Sequence, residues 1–371
     1  MPPRFRVIDT GLRGARENIA FDQALIDARA QGDIPDTIRF LRFRESALVG
    51  IHQVLSHEVR LDHCHEHGIE VARRITGGGG LYLDTGQLGW ELVFDRKTLG
   101  LKRLDEITRR ICEAAALGLS KLGVEAHFRP RNDIEVDGRK ISGTGGVFDG
   151  DVVFFQGTLL VDFDVERMIA ALKVPVDKLA RHDAASVRQR VTCLRELLGD
   201  TLPDQDALQQ ALLDGFAEDL GIAPAWSETT AAEEALACTL HDEEIGGDDF
   251  VAMRDVPEAG DGVVSASLTR RAGTLRADIR LEGSHDERIR EVLLTGDAFV
   301  SPTRTLYDLE AALRGVAAAN AGDAVEAFFA ANPATLGGLA PADYRAVIEA
   351  ALEQLTIEVE GNRLRGHWLG P

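Results

Sequence analysis

The sequence predicts an α+β protein of two domains. Three observations predict it: a meander of short strands around Asp137-Gly138, a second run of strands and then helices late in the chain, and a break at Gly246-Gly247 between them. The break sets the expected domains at residues 1–245 and 250–371. A chain of 371 residues has room for two domains of ~100–200 residues each. At that length a core forms without a disulfide or metal staple.

Each element has its own signal. A helix is expected over "ENIAFDQALIDARAQG", with Asn18 as cap and Phe21, Leu25 and Ala28 at helical spacing. "DTIRFLRF" alternates like a strand, and "ALVGI" reads as a short buried one. "SHEVRLDHCHEHG" has a Ser56 cap, a helical body and Gly68 as a stop. "IEVARR" is a strand leading into four glycines, and a strand-like segment follows them, then "GQLGWELVF". "RLDEITRRICEAAALGLSKLG" places Leu104, Ile107 and Ile111 on one helix face, with Gly123 after its end. Asp137-Gly138 is a hairpin turn inside an antiparallel meander. Beyond it the chain turns helical and polar up to Gly246-Gly247. The last part has two strands around Ala272-Gly273, a third in "REVLLTG", and the helices "TLYDLEAALRG" and "APADYRAVIEAALEQL".

Composition narrows the function. The formal net charge is −20, which disfavours nucleic acid and anionic membranes as partners and leaves small ligands and proteins. Hydrophobic residues are 44% and charged ones 27%, ordinary for a soluble protein. Cys64, Cys112, Cys193 and Cys238 form no CxxC pair and read as free thiols of a reducing cytoplasm. The opening "MPPRFRVIDTG" carries no signal-peptide apolar stretch, and no run approaches the roughly 20 apolar residues of a membrane helix.

Two stretches carry candidate chemistry. In "ARRITGGGG", Arg73 and Arg74 are suited to clamping a phosphate or carboxylate, and the glycines let backbone approach a ligand. On its own the stretch is equally a flexible turn between strands. No GK[ST] follows, and the next segment is not a helix, so neither a Walker loop nor a dinucleotide fingerprint is present. In "DGRKISGTGG", Lys140 follows a hairpin turn, where a lysine is most often solvated; next to Ser142 and Gly143 it would be a point charge for a phosphate or a developing anion. In "HCHEH", His63 and His67 share a helical face, and a solvated face outweighs a metal site.

Taken in order, "RRITGGG" with Asp84 downstream, "RNDIEVDGRKISG" and "QGTLLVD" resemble the three motifs of the lipoate–protein ligase A family, within the biotin/lipoate ligase superfamily. "KLARHDAASVRQRVTCLREL" resembles that family's segment after the catalytic core, and "TGDAFVSPTRTLYDLEAALRG" its small accessory domain. The resemblance covers most of the chain, from "NIAFDQALI" to about Gly315. It implies a class II tRNA-synthetase-like core with a mixed, mostly antiparallel sheet, plus a small α+β C-terminal domain. It implies a reaction in which lipoate and ATP, with Mg²⁺, give lipoyl-adenylate, whose acyl group passes to a lysine of a carrier. That carrier would be an E2 lipoyl domain, the glycine-cleavage H protein or a specialised lipoate-binding protein.

The roles implied by the resemblance fall on named positions. Lys140 is catalytic. Arg73, Arg74, Thr76, Gly77, Gly78, Gly79, Asp84, Asn132, Asp133, Ser142, Gly143, Gln156, Gly157 and Thr158 bind substrate or adenylate, with Asp133 also a candidate contact for Mg²⁺. Beside these, the basic residues near the site that would meet an acidic carrier are Arg73, Arg129, Arg131 and Arg139. Leu83 and Gln156 stand where the family usually has histidine, which touches the acyl pocket, and Gly80 and Trp90 are also unlike the commonest members. Octanoyltransferases of the superfamily use a cysteine nucleophile, and neither Cys112 nor Cys193 falls in the sheet motifs. A non-catalytic lipoyl-domain binder and a biotin ligase are further alternatives.

Overall fold

A computed structural model describes residues 1–173, 189–254, 263–283 and 287–365, with side chains described to residue 354. The beginning of the "KLARHDAASVRQRVTCLREL" stretch therefore lies outside the described residues. By contact the chain divides into two units: Met1–Val49, Ser56–Thr76 and Gly80–Val251, and then Gly50–Leu55, Gly77–Gly79 and Ala252–Pro371.

The first unit is organised on an eight-stranded mixed sheet. Its strands are β1 (Arg4–Arg13), β2 (Thr37–Phe43), β6 (Gln87–Asp95), β7 (His127–Arg129), β8 (Asp133–Val136), β9 (Arg139–Asp149), β10 (Val152–Leu160) and β11 (Ala223–Trp226), in the order β11-β1-β2-β6-β10-β9-β8-β7. β1 runs parallel to both β11 and β2, and every other pairing is antiparallel. A smaller sheet holds β3 (Ser46–Val49) between β4 (Glu70–Arg73) and β5 (Leu81–Leu83).

Each face of the large sheet has its own core. Helix α4 (Leu104–Ser120) buries Ile107, Ile111 and Ala115 with Trp90, Phe155, Ile141 and Phe216. Helix α1 (Ala15–Gln31) buries Phe21, Ala24 and Leu25 with Val93, Val147 and Phe154 on the other face. Alternation along the strands sorts every side chain to one of these faces.

Several expectations are corrected. Asn18 is not a cap. Helix α1 starts at Ala15 behind Gly14, and the Asn18 amide donates to the Arg42 carbonyl from inside the helix. The "SHEVRLDHCHEH" helix is two, α2 (Leu55–Glu58) and α3 (Leu61–His67). Val59 bridges to Leu172 and the Arg60 N–H donates to Ala171, so the backbone between them serves another segment. β1 and β11 carry no clear strand signal; β1 is held by parallel pairing to β2 on one side and to β11 on the other. The Gly246-Gly247 pair lies within the first unit. Gly246 follows a π turn at His241–Ile245, its carbonyl accepts from Arg16 Nη1 at 2.7 Å, and a Cβ there would meet the His241 carbonyl at 2.6 Å.

The second unit carries a three-stranded antiparallel sheet, β12 (Val263–Arg270), β13 (Gly273–Glu282) and β14 (Arg288–Gly296). Helices Thr305–Leu313 and Pro341–Arg365 match the sequence signals, and Ala321–Ala331 is a further one. Leu275, Ile279, Leu294, Leu309, Val325 and Tyr344 share its core.

Candidate active site

The β8–β9 hairpin turns at Asp137 and Gly138, with φ of 51° and 77°, the pair of left-handed residues that a two-residue hairpin requires. Its ladder then shifts. Glu135 pairs with Lys140 while Ile134 pairs with Ser142, so Ile141 is an extra residue in β9. Such a bulge re-aims side chains. Here it puts Lys140 on the same face as Gly143, three residues away. The Lys140 Nζ lies over Gly143, where a Cβ would meet it at 2.6 Å, and 2.7 Å from Asp133 Oδ1. The Lys140 backbone is fixed from the other side too. Its N–H donates to Arg190 at 2.7 Å and its carbonyl accepts from Thr192 at 2.9 Å.

Asp133 is shared. Its Oδ1 holds Lys140 and its Oδ2 accepts from Arg129 at 2.7 Å. Burial pushes this carboxyl upward, but the charges and hydrogen bonds of Lys140 and Arg129 outweigh it and hold it below the usual carboxylate range. Arg129 also reaches Glu135 at 3.1 Å. Each Asp133 oxygen already faces a cation, so a metal bound there would share the carboxylate with Lys140 and Arg129. Among the described residues no group of three or more His, Cys, Asp or Glu is arranged for a metal, the His63–His67 pair included.

β10 supplies the next row. Thr158 pairs with Gly143, and Gln156 with Gly145, so both side chains stand on the Lys140 face with bare backbone beside them. The Gln156 Nε2 donates to Thr76 Oγ1 at 2.8 Å. Lys140, Asp133, Gly143, Thr158, Gln156 and Thr76 thus come together. Others do not join them. Ser142 sits opposite Ile134 and Leu159, and its buried hydroxyl faces away from Lys140. A Cβ at Gly157 would meet the Trp90 ring at 2.2 Å, so that glycine exists to seat the indole on the α4 face. The Asn132 amide donates to the Thr144 carbonyl, and Thr144 Oγ1 donates back to the Asn132 carbonyl at 2.8 Å.

The two arginines separate in role. Arg73 is buried, with Nε and Nη2 donating to the Val251 carbonyl at 3.0 and 2.8 Å, which ties β4 to helix Asp248–Ala252. That spends donors expected to clamp a ligand. Arg74 is fixed by its backbone N–H on the Val49 carbonyl at 2.8 Å. Burial, and then the charge of Arg73, push its guanidinium down to about 10, so it stays a buried cation at neutral pH. Asp84 Oδ1 accepts from the Gly86 N–H at 2.8 Å and shapes the turn into β6.

The glycine loop belongs, by contact, to the second unit. Within that unit Gly78 has φ 99°, a Cβ at Gly50 would meet the Gly78 carbonyl at 2.2 Å, and a Cβ at Gly77 the Ala298 carbonyl at 2.4 Å. Gly79 is under no such constraint of space. Two of the three glycines are thus explained by packing and backbone angle.

A cleft of about 470 Å³ opens beside this hairpin, lined in part by Arg139, Asp164, Val191, Cys193 and Glu196. Arg139 bridges Glu196 and donates to the Val191 carbonyl. Cys193 is half-buried there, whereas Cys64 and Cys112 are buried and burial pushes the Cys112 thiol up to about 12. Sequence reasoning missed this cleft, because it joins segments far apart in the chain.

The large mixed sheet with its flanking helices and a C-terminal unit has the class II tRNA-synthetase-like fold of the lipoate ligases it aligns with. Residues 14–217 match the lipoyl protein ligase A/B catalytic domain family, and the chain belongs to that family. Lipoate-protein ligase A subunit 1 of Thermoplasma acidophilum is 30% identical over 245 residues, spanning 63% of this chain and 91% of that protein. An octanoyltransferase LipM of Symbiobacterium thermophilum is 29% identical over 273 residues, spanning 67% of this chain and 98% of that protein. The solved structure of the bipartite lipoate protein ligase and its E2 lipoyl domain from T. acidophilum aligns with a TM-score of 0.60 at 29% identity, over 68% of this chain and 97% of that chain. A lipoate-protein ligase A bound with ATP aligns with a TM-score of 0.58 at 27% identity, over 68% of this chain and 99% of that chain. No described helix is long and apolar enough to cross a membrane.

Proposed function

We propose that this chain is an ATP-dependent lipoate–protein ligase, with residues 1–245 as catalytic domain and 250–371 as accessory domain. The observation that carries the reading is Lys140, its backbone fixed on both sides and its ammonium held over Gly143 by Asp133. Adenylation brings a carboxylate to a phosphate, and the repulsion between them must be neutralised. Lys140 supplies a preorganised charge for that step and for the oxyanion of acyl transfer. Arg74 is a buried cation that precedes the glycine run in sequence, and its charge suits a carboxylate or phosphate ligand. Thr76 offers a hydroxyl, and Gln156 and Thr158 offer polar contacts on the same face. Mg²⁺ would enter with the nucleotide. The carrier is a lipoyl domain or a protein of that kind, as for the T. acidophilum ligase, and the cytoplasm is the expected compartment.

A second reading has one observation behind it. Cys193 lines a cleft next to Arg139, and LipM relatives are octanoyltransferases. The two readings separate in one experiment: lipoate-dependent exchange of pyrophosphate into ATP, run beside ATP-free acyl transfer from octanoyl-carrier protein, in the wild type and Cys193→Ser. The ligase reading expects exchange in both proteins. ATP-free transfer that Cys193→Ser abolishes would replace it with the transferase.

A further inference from the structure

Just before Asp133 the chain turns between β7 and β8. The β8–β9 ladder pairs Ile134 with Ser142 and Asp133 with Gly143, so the next pair along it is Asn132 with Thr144. A hydrogen-bonded antiparallel pair exchanges two main-chain bonds. Here one is ordinary: the Thr144 N–H donates to the Asn132 carbonyl at 2.9 Å. The other is made by a side chain. The Thr144 carbonyl accepts from the Asn132 amide Nδ2, which stands in for the main-chain N–H. The ladder is thus closed at a residue whose main chain is already turning away.

Thr144 adds a third bond, from Oγ1 to the same Asn132 carbonyl at 2.8 Å. That spends the one proton of its hydroxyl. The 3.4 Å contact with Cys112 Sγ therefore runs from thiol to oxygen. Burial pushes the Cys112 thiol up to about 12, so it carries that proton at neutral pH. Thr144 and Cys112 are both buried, and the chain of bonds runs from α4 through β9 to the turn before Asp133. Packing alone does not call for it, because a valine at position 144 would fill the same space.

Its place in the fold suggests what it does. Asp133 is the first residue of β8, where a strand end is free to fray, and its Oδ1 is what holds the Lys140 ammonium, at 2.7 Å. Ile134 fixes the main chain on one side of Asp133, and the three bonds between Asn132 and Thr144 fix it on the other. We propose that Thr144, acting with the Asn132 amide, is a positioning residue: the two lock the main chain at Asp133 so that its carboxylate keeps the Lys140 ammonium over Gly143. The consequence for catalysis rests on the ligase reading; the lock on Asp133 and Lys140 does not.

The ligand-free protein gives the first readout. Brief acetylation with acetic anhydride, followed by mass spectrometry, compares Lys140 with the exposed Lys102. An amine held by a carboxylate reacts more slowly than a solvated one. Relative to Lys102, Lys140 should react faster in Thr144→Val and in Asn132→Ala, approaching its rate in Asp133→Asn, while Thr144→Ser keeps the wild-type ratio. An unchanged ratio in the first two variants would overturn the lock. Should Thr144→Val not fold, Asn132→Ala, altered in the turn, carries the test. In lipoate-dependent pyrophosphate exchange, kcat should fall about tenfold in Asn132→Ala, the scale of one net hydrogen bond, with KM for ATP unchanged. Thr144→Val keeps two of the three bonds and should lose less. In an Asp133→Asn background neither change should cost more, since both act through that carboxylate. A raised KM for ATP with kcat kept, losses that add to that of Asp133→Asn, or a fall in kcat without faster acetylation of Lys140 would each overturn the proposal. If the wild type shows no exchange at all, the ligase reading fails, and the acetylation ratios alone decide whether the lock exists.

Discussion

At the scale of single residues, Lys140 is placed by its surroundings rather than by its own reach. The bulge at Ile141 turns it onto the Gly143 face, and Asp133 holds its ammonium. Lys140→Ala should lower both adenylation and transfer by about 100-fold or more, the scale on which one charge-stabilising donor acts, with only a modest fall in melting temperature, because Asp133 keeps its Arg129 partner. Gly143→Ala should lower kcat as well, because the new methyl would meet Nζ at 2.6 Å. Near-normal turnover in Lys140→Ala would remove the lysine from the chemistry. Asp133 sets a pH signature. Its folded carboxyl is held below its ordinary range, so its contribution to stability is present above that range and is lost as pH falls through the folded value. Melting temperatures measured on acidification should therefore drop less steeply for Asp133→Asn than for the wild type. Parallel curves would mean that the Lys140 and Arg129 contacts do not persist in solution.

At the scale of elements, the readable parts were those with a local cause. Asp137-Gly138 announced its hairpin because few residues tolerate those backbone angles, and α4 announced itself by its apolar face. β1 and β11 did not, because pairing with distant strands decides them. Arg39, in an alternating strand, reads as a solvent-facing residue, yet Asp22 and Glu91 bury it completely, and both carboxyls come from other elements. The candidate site was legible as motifs, but not its sidedness. Ser142 and Gly157 sit among the motif residues in sequence and on the opposite face in space, which only the bulge and the pairing register reveal. Gly157→Ala offers an element-level check. Its methyl would collide with Trp90 at 2.2 Å, so it should destabilise the β6–β10 pairing by about 1–3 kcal/mol, the cost of overpacking. Chemical denaturation measures this, and an unaffected midpoint would mean that the indole does not rest on that glycine.

At the scale of the whole molecule, the net charge of −20 makes encounter with an acidic carrier depend on local positive charge. The structure divides the arginines that sequence grouped together. Arg129 is committed to Asp133 and Glu135, and Arg139 to Glu196, while Arg131 is exposed. Arg131→Glu should raise KM for the carrier and leave carrier-free exchange intact. Arg129→Glu should damage exchange itself by releasing Asp133. The reverse pattern would move the docking surface elsewhere. The central claim is that this chain activates an acyl group before any carrier is present. The most direct measurement is to incubate the purified protein with lipoate and labelled ATP, without carrier, and separate the products. The account predicts one equivalent or less of lipoyl-adenylate held by the protein, released pyrophosphate, and neither product in Lys140→Ala. Absence of adenylate in the wild type, with acyl transfer to carrier proceeding from an octanoylated donor without ATP, would contradict it.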